Sequence, residues 1–587
     1  MISRATSHAF DLVICGGGLA GLSLARQLRL SGNTLSILII DPIERPLPQA
    51  GFKIGESTVE IGAYYYDSTL QLYDYLEESH LEKLGLRYFF QSSGDFASRP
   101  EYGARRFLPA KSYQVDRGTL EEKLRELVVD AGVELVEGAR VRDIQIDGQG
   151  PHQVQWIDTN GIEHTTEAGW VVDAMGRRRY LQSRLGHMKK SPRQRNSVWW
   201  RVKGKVSVNE WVPASNTAWH ARVEDDRWQS TCHLMGEGYW VWIIPLAPDN
   251  TSIGIVALDA MHPYDSYAPT PEKAMAWLRT HEPVLADAME RHEVIDFGRL
   301  KSYSHSSTRV ISGDRWACTG VSGVFADPYY SVGTNLIAYN NGFIQRLIEM
   351  DQAGKAVTEY ADYANRYVLT LNDALTESIG RAYPNMGLGP IAAMKTIWDY
   401  YVGWGTSDPQ YYHELYLDPV LAKTVSGLVS RIVVAQSRML GIFEEWGRRS
   451  SRQRVTFDYL DYIDDLPTLK AMHLRTLPKQ GPTTVREQLS FMRDACDRIE
   501  EVAQIIFRIV VRDVLPEDSE RLASTWLNIE ALGLDPTVWD AQGLFRPRTQ
   551  PRDITAHEAE ITRLFRWTDD EAVTTTGDTS ATPAACA

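Results

Sequence analysis

A glycine-rich turn directly after a short apolar run near the start of the chain limits the possible folds most. The run Asp11–Cys15 has a buried-strand pattern, the next residues, Gly16-Gly-Gly18-Leu-Ala-Gly21, have the spacing G-x-G-x-x-G, and a helical pattern over Leu22–Leu30 follows. Gly16 permits a tight turn, Gly18 lets the backbone approach a pyrophosphate, and Gly21 allows the helix to pack closely against the strand. The feature predicts a Rossmann-like dinucleotide-binding domain with phosphates at the helix N-terminus.

A second predicted strand, Leu35–Ile40, ends directly before Asp41. This acid follows the last glycine by about twenty residues, where a carboxylate accepts a hydrogen bond from a ribose hydroxyl. Strand, helix and acid are all in register, which argues against a chance glycine turn. NAD and FAD share this motif, so the rest of the chain must distinguish them.

The chain has 587 residues, which predicts more than one structural unit. Short β-type runs alternate with helical patterns over residues 1–350, which predicts an α/β module, with an antiparallel β-sheet substrate part at about 85–110 and 190–310. Residues 351–567 have helical patterns and are predicted to form a C-terminal helical domain. Residues 568–587, rich in Thr, Ala, Ser and Asp, are predicted to be a disordered tail.

The clearest helix of the C-terminal region begins at a capping box, Thr484 with Glu487, and is predicted to end at Pro516. Apolar residues at helical spacing define one face of it: Val485, Leu489, Met492, Ile499, Val502, Ile506 and Ile509.

Composition excludes several classes of function. The net charge of -14, without a basic stripe, argues against nucleic acid as a partner. No apolar run approaches the roughly 18 residues that a membrane span needs. The five cysteines are scattered without a C-x-x-C pair, which suggests neither a disulfide framework nor a zinc site. We therefore expect a cytoplasmic protein with no membrane span and no metal.

A series of short blocks, in a fixed order, resembles the FAD-dependent aromatic hydroxylases and halogenases. The blocks are Gly55-Glu56-Ser57-Thr58, Tyr113-Gln114-Val-Asp116-Arg117, Val172-Asp173-Ala-Met-Gly176-Arg177, Gly313-Asp314-Arg-Trp316 and Phe325-Ala-Asp327-Pro328. The resemblance implies that FAD is the cofactor. It also implies that Glu56, Ser57, Gln114, Gly176 and Asp327 lie beside the flavin, and that the glycine turn and Asp41 bind its adenosine half.

Three further segments narrow the resemblance to the flavin-dependent halogenases, the tryptophan halogenase family in the broad sense. Trp240-Val-Trp242-Ile-Ile-Pro245 is similar to the family's W-x-W-x-I-P signature. Lys83-Leu-Gly-Leu-Arg87-Tyr-Phe is similar to the segment that carries the catalytic lysine, and Phe325–Gly333 is similar to a loop whose last amides lie near the halide.

The resemblance implies a set of roles and co-reactants. Lys83 is the candidate catalytic lysine, Trp240 and Trp242 wall the substrate side of the flavin, and the amides of Val332 and Gly333 hold the halide. Chloride or bromide is consumed, and a separate flavin reductase reduces the FAD.

Alternatives remain open at several of these residues. Lys83 also fits a solvated lysine at a helix end, and Lys53, just before the Gly-Glu-Ser turn, is the rival catalytic lysine, here assigned to flavin or loop contacts. Trp240 and Trp242 also fit plain core packing.

Two departures from the related families bear on substrate and reaction. Tyr330 occupies the position at which tryptophan-specific halogenases have a glutamate, which argues against free tryptophan as substrate and leaves the general-base role vacant. Val321 follows Gly320 where aromatic hydroxylases have an aspartate, which argues against a simple hydroxylase.

Three functions are therefore compared. The first is a halogenase of secondary metabolism, acting on an electron-rich aromatic, phenolic or indolic substrate that is either a small molecule or bound to a carrier protein. The second is an FAD-dependent monooxygenase or dehydrogenase of the same fold that does not halogenate. The third is a maturation flavoprotein whose partner is another protein.

Overall fold

The computed structural model describes residues 8–48, 53–92, 94–247, 249–450, 454–523 and 525–567. The predicted tail, residues 568–587, lies outside the described residues. No helix in these ranges is long and apolar enough to cross a membrane.

The strands fall mainly in the first 320 residues. They are β1 (His8–Cys15), β2 (Ile37–Ile40), β3 (Leu81–Glu82), β4 (Leu86–Phe90), β5 (Glu101–Gly103), β6 (Tyr113–Gln114), β7 (Glu134–Val136), β8 (Arg140–Gln145), β9 (His152–Ile157), β10 (Glu163–Asp173), β11 (Met188–Lys190), β12 (Arg195–Lys203), β13 (Thr231–Gly236), β14 (Tyr239–Leu246), β15 (Asn250–Leu258), β16 (Val294–Leu300), β17 (His305–Ser307), β18 (Ile311–Ser312), β19 (Trp316–Cys318), β20 (Val455–Thr456), β21 (Tyr459–Leu460) and β22 (Arg566–Trp567).

The helices dominate the second half of the chain. They are α1 (Leu19–Leu30), α2 (Glu60–Tyr64), α3 (Tyr73–Ser79), α4 (Arg117–Asp130), α5 (Tyr180–Arg184), α6 (Thr217–His220), α7 (Tyr264–Tyr267), α8 (Pro271–His281), α9 (Pro283–Met289), α10 (Gly333–Gln352), α11 (Thr358–Ala382), α12 (Gly389–Val402), α13 (Asp408–Tyr412), α14 (Pro419–Arg449), α15 (Pro467–Thr476), α16 (Val485–Val514), α17 (Trp539–Gln542) and α18 (Thr555–Thr562).

The first eight-stranded sheet contains the glycine-rich turn. Its main path has the order β18-β19-β10-β1-β2-β7, and β8 and β9 extend it from β10. Strands β1, β2, β7, β10 and β19 run parallel, whereas β9 is antiparallel to β10. Because the turn between β1 and α1 lies at the carboxyl ends of the parallel strands, a ligand crevice is expected there. The predicted fold class, α/β with a Rossmann-like domain and an added antiparallel sheet, is confirmed.

The second eight-stranded sheet has the order β16-β12-β15-β14-β13-β4-β5-β21. Its pairs are antiparallel except for β13 with β4 and β5 with β21. Alternate side chains of each strand point to opposite faces. Tyr88, Trp240 and Trp242 share the face that packs against the C-terminal helices, whereas Trp200 and Trp219 belong to a separate core on the other face.

The C-terminal helices share one hydrophobic core with the second sheet. This core includes Trp240 of the sheet together with Trp398 of α12, Trp446 of α14 and Ile506 of α16. This shared core crosses the predicted boundary at residue 350. The division into a module 1–350 and a helical domain 351–567 stays a prediction.

Helix α16 begins where its sequence predicts. Thr484 accepts a hydrogen bond from the N–H of Glu487, and the Glu487 side chain accepts one from the N–H of Thr484, which forms the predicted capping box. The predicted apolar face is buried from Met492 onward, whereas Val485 in the first turn is 43% exposed. The helix ends just before Pro516.

Candidate active site

A large cavity, here called the first cavity, opens at the glycine-rich turn. Its volume is about 790 Å³, and it extends from Gly16 and Gly18 past Met175 and Gly176 to Trp240 and Trp242. Volumes of this size are typical of cofactor sites. The first cavity therefore connects the dinucleotide-binding turn of one sheet to a face of the other.

The three glycines of the turn have different surroundings. A Cβ on Gly16, whose φ is +116°, would lie 2.4 Å from the carbonyl oxygen of Ala174, and one on Gly21 would lie 2.2 Å from the Gly16 oxygen. A Cβ on Gly18 would meet nothing closer than Lys53 Nζ at 3.8 Å, because Gly18 faces the first cavity. Gly16 and Gly21 are thus required by the fold, and Gly18 leaves room for a ligand.

The first cavity fits FAD by its donors as well as by its size. Gly18 precedes the first turn of α1, where backbone N–H groups have no partner within the helix. Lys53, Arg117 and Arg177 also line this cavity, and they supply positive charge for a pyrophosphate.

Asp41 lines the first cavity but already accepts three hydrogen bonds. Its Oδ2 accepts from the N–H of Gly17 at 2.6 Å, and its Oδ1 accepts from the N–H of Ile43 at 2.9 Å and from Arg125 at 2.8 Å. The carboxylate therefore holds the glycine turn in place. Ribose binding by Asp41 stays a prediction.

The other predicted flavin contacts differ in position. Glu56, Ser57 and Gly176 line the first cavity, and Glu56 forms a buried ion pair with Arg201 at 2.8 Å. Gln114 and Asp327 do not line the first cavity.

Gln114 and Asp327 form hydrogen bonds or ion pairs with other residues of the protein. Gln114 donates to Thr231 Oγ1 at 2.9 Å, so its side chain lies behind the wall that Thr231 forms. Asp327 forms an ion pair with Arg195 at 3.1 Å and accepts from the hydroxyls of Tyr303 and Tyr383, each at 3.0 Å. Both side chains therefore support the wall of the first cavity, and their predicted contact with the flavin stays a prediction.

A second cavity, with a volume of about 340 Å³, lies among α2, α10, α11, α12 and α14. The segment 328–336 separates it from the first cavity. Pro328, Ser331 and Gly333 line the first cavity, whereas Tyr330 and Val332 line the second. The two predicted halide residues therefore lie on opposite sides of one partition.

The backbone of this partition is unusual. Tyr330 and Ser331 have φ angles of 63° and 56°, in the left-handed region that non-glycine residues rarely adopt. Helix α10 begins at Gly333, so the amides of its first turn lack carbonyl partners within the helix. Left-handed residues followed by free amides make a concave anion site.

Lys83 lies at the partition and lines the second cavity. Its side chain donates to Ser57 Oγ at 2.9 Å and to the carbonyl oxygen of Thr58 at 2.6 Å, and Ser57 lines the first cavity. Only 2% of Lys83 is exposed, which excludes a solvated lysine. Burial lowers the pKa of Lys83 to about 7, and the Glu60 carboxylate opposes part of this shift.

Lys53, the rival lysine, lies elsewhere. It lines the first cavity and forms an ion pair with Glu121 of α4. This position agrees with its assignment to flavin or loop contacts and gives it no access to the second cavity.

Trp240 and Trp242 both line the first cavity and are buried. Their indole N–H groups donate to the Tyr383 hydroxyl at 3.0 Å and to Ser252 Oγ at 3.1 Å. Neither residue lines the second cavity, so they lie on the flavin side of the partition. Their predicted role as a substrate wall stays a prediction.

Sequence reasoning missed the carboxylates of the second cavity, which are Glu60, Asp399 and Asp408. The Tyr330 hydroxyl donates to Asp399 Oδ2 at 2.9 Å, and Asp399 also forms an ion pair with Lys395. The position next to Ser331 lacks a carboxylate, but other segments bring carboxylates to the same cavity. Of these carboxylates, Glu60 could have been predicted from the sequence, because it closely follows the Gly-Glu-Ser-Thr turn.

Comparisons with known proteins agree on one family. The family model described as tryptophan halogenase matches residues 70–376. A flavin-dependent halogenase of Dictyostelium discoideum is 29% identical over 374 residues, which are 58% of this chain and 60% of that protein, so the match spans less than two thirds of it. A 1H-pyrrole-2-carbonyl-[peptidyl-carrier protein] brominase of Pseudoalteromonas luteoviolacea is 28% identical over 342 residues, which are 56% of this chain and 74% of that protein.

A solved structure resembles more of the chain. The halogenase PltM, crystallised in complex with phloroglucinol and FAD, superposes with a TM-score of 0.58 at 16% identity, covering 88% of this chain and 99% of that one. At this identity the likeness concerns the fold alone, including most of the helical region. The family model covers more than half of the sequence, and the chain therefore belongs to the tryptophan halogenase family of FAD-dependent oxidoreductases.

Proposed function

We propose that this protein halogenates an electron-rich aromatic, phenolic or indolic substrate, using reduced FAD, dioxygen and chloride or bromide, with Lys83 as a catalytic residue. The observation that carries the proposal is the position of Lys83. Its amine touches the wall of the first cavity at Ser57 while its side chain lines the second.

The two cavities have different roles in the proposed reaction. The first would hold FAD through Gly16, Gly18, Asp41, Ser57 and Gly176. Bound reduced FAD supplies the reaction of dioxygen with halide that yields hypohalous acid. The amides of Val332 and Gly333 would hold the halide at the partition, as an anion site without a charged side chain.

The residues at the partition then control where the halogen goes. Protonated Lys83 donates a hydrogen bond to the oxygen of hypohalous acid and so orients its halogen toward the second cavity. Trp240 and Trp242 exclude the aromatic substrate from the flavin side. Apolar walls that include Leu86, Leu336 and Ile379 keep water from consuming the acid in the second cavity.

Three partners belong to the proposal. A separate flavin reductase supplies the reduced FAD. The substrate enters either free or bound to a carrier protein, and the carrier-linked form is supported by the pyrrole brominase relative. We also propose a cytoplasmic location, supported by the free, buried Cys15, Cys232, Cys318 and Cys496.

The test combines the purified protein with a flavin reductase, NADH, FAD, oxygen and bromide. The substrates are orcinol, phloroglucinol, indole and pyrrole, and free pyrrole-2-carboxylate is compared with its carrier-bound thioester. Mass spectrometry should detect brominated product only when reductase is present. Hydroxylated product without bromination, or brisk NADPH oxidation by the isolated protein, would instead support the monooxygenase alternative.

A further inference from the structure

Glu60 is the carboxylate of the second cavity whose oxygens are least engaged. It is the first residue of α2, two positions after Thr58, the residue whose carbonyl accepts from Lys83. Asp399 is paired with Lys395, and Asp408 accepts from Ser407. In the described part of the chain, no side chain of another residue donates a hydrogen bond to the Glu60 carboxylate. This carboxylate accepts from the backbone N–H of Glu60 itself.

The surroundings of Glu60 favour proton exchange with Lys83. Burial raises the pKa of Glu60, and Lys83 opposes the shift. Burial lowers the pKa of Lys83, and Glu60 opposes that shift. Both side chains line the second cavity, and the acid and the amine have pKa values closer together than in water, which suits Glu60 to accept a proton while Lys83 donates one.

We propose that Glu60 is a catalytic residue that accepts the proton lost by the substrate ring on halogenation, and that the second cavity takes uncharged aromatic substrates. The proposal rests on the function proposed above. It gives the general-base role to a residue of α2, since the loop position next to Ser331 carries Tyr330 instead of a carboxylate.

The reaction balances as ArH + HOX → ArX + H₂O. The ring carbon attacks the halogen, so that the C–X bond forms and the O–X bond breaks with its electron pair on oxygen. That oxygen takes a proton from the Lys83 ammonium group and leaves as water. The C–H bond then breaks, its electron pair restores the aromatic ring, and its proton goes to the Glu60 carboxylate. Release of this proton by Glu60 and uptake of one proton by the Lys83 amine restore both groups.

The preference for uncharged substrates follows from the charges of the cavity. Glu60, Asp399 and Asp408 are its acidic residues, and Lys83 is its basic residue. A substrate carboxylate would lose its hydration in this space, where burial already raises the pKa values of Glu60 and Asp408, so a further carboxylate is unfavourable. Orcinol should therefore be halogenated faster than 3,5-dihydroxybenzoate, which carries the same two hydroxyl groups and a carboxylate in place of the methyl group.

The test compares the wild-type protein with Glu60→Gln and with Glu82→Gln as matched control. Glu82 adjoins Lys83 in sequence but pairs with Lys111 and lines neither cavity. Bromination of orcinol and of ring-deuterated orcinol is followed with reductase, FAD and bromide. Glu60→Gln should lose about 10²- to 10⁴-fold in product formation, the usual contribution of a general base, with oxygen consumption unchanged.

An isotope effect separates proton acceptance from positioning. In the Glu60→Gln variant loss of the ring proton should become slow, so that deuterated orcinol reacts more slowly than orcinol, while the wild type and Glu82→Gln show no such difference. Wild-type rates in Glu60→Gln, or a loss of rate without an isotope effect, overturn the role of Glu60. Faster turnover of 3,5-dihydroxybenzoate than of orcinol overturns the substrate class. If the wild type brominates no aromatic compound at all, the proposed function itself fails.

Discussion

At the residue scale, Lys83 and Lys53 provide a matched pair because each lines one cavity. Lys83→Ala should abolish product halogenation while leaving FAD binding and oxygen consumption nearly intact, since the flavin chemistry precedes the step at Lys83. Loss of one oriented donor commonly costs about 2.7–4 kcal/mol, or roughly 10²- to 10³-fold in rate. Product formation by mass spectrometry and oxygen uptake measure the two effects.

Lys53→Ala is the control for this prediction. Because Lys53 faces the first cavity and pairs with Glu121, its loss should weaken FAD binding without a specific loss of halogen transfer. Normal halogenation by Lys83→Ala together with its loss in Lys53→Ala would show that Lys53, and not Lys83, is the catalytic lysine.

The pH dependence of halogenation should report the protonation of Lys83. Burial lowers the pKa of Lys83 to about 7. The neighbouring His233 stays neutral in this pH range, because burial lowers the pKa of His233 to about 3. If the ammonium form donates to hypohalous acid, the rate falls as the pH rises through about 7. Glu60→Gln removes the negative charge that favours protonated Lys83, so its inflection should move to lower pH.

The measurement uses initial rates of orcinol bromination between pH 5.5 and 9. Lys83→Arg keeps its charge throughout this range and should lack the inflection near pH 7. A wild-type rate that rises through pH 7 would contradict the donor role and indicate that the neutral amine reacts.

Gly18 and Gly21 separate cofactor binding from folding. A Cβ on Gly18 meets only side-chain ends near 3.8 Å, so Gly18→Val should fold but lose FAD binding, because its side chain fills the space for the pyrophosphate. A Cβ on Gly21 would overlap the Gly16 oxygen at 2.2 Å, so Gly21→Val should lose stability itself. Fluorescence titration with FAD and thermal unfolding distinguish these results, and wild-type affinity in Gly18→Val would contradict the assigned site.

At the element scale, α16 depends on its capping box for a defined start. Thr484→Ala removes the hydroxyl that accepts from the Glu487 N–H and should lower the free energy of unfolding by about 1 kcal/mol, measured by urea unfolding. FAD affinity should not change, because Thr484 lines neither cavity. Thr424→Ala in the exposed part of α14 is the control and should cost little, because alanine suits a helix interior.

The partition between the cavities is the second element, and its backbone conformation sets which residues line each cavity. Its left-handed residues, Tyr330 and Ser331, hold the chain so that neighbouring positions face different cavities. Such strain persists where the surrounding structure over-determines it, often at functional sites. Here Asp399 of α12 holds the Tyr330 hydroxyl, so a helix beyond residue 350 helps to fix the partition.

At the scale of the whole molecule, the continuous core predicts that the C-terminal helices fold together with the second sheet. A chain that ends at residue 350 would expose the face of the second sheet that contains Trp240 and Trp242. It should therefore aggregate or fail to bind FAD, as measured by size-exclusion chromatography and flavin absorbance against the full chain. A soluble, monomeric fragment 1–350 with full FAD affinity would instead support two independent domains.

Local sequence patterns alone predict the dinucleotide-binding turn and the capped helix. The turn is readable because strand, glycines and helix are contiguous, so their geometry follows from local backbone sterics and hydrogen bonding. The capping box is local for the same reason. The family motifs added Lys83, and they also predicted flavin contacts for Gln114 and Asp327, whose side chains bond to Thr231 and Arg195 in the structure.

Tertiary structure alone decided how the two cavities are divided and which carboxylates face the second. Glu60 comes from α2, whereas Asp399 and Asp408 come from α12 and α13 much later in the chain, and no local pattern distinguishes Asp399 or Asp408 from surface acids. Their meeting depends on how α2 and α13 pack against each other and on how α12 packs against the second sheet. The charge and the protonation of that cavity are therefore set by long-range packing, because burial and neighbouring charges shift pKa values only after the chain has folded.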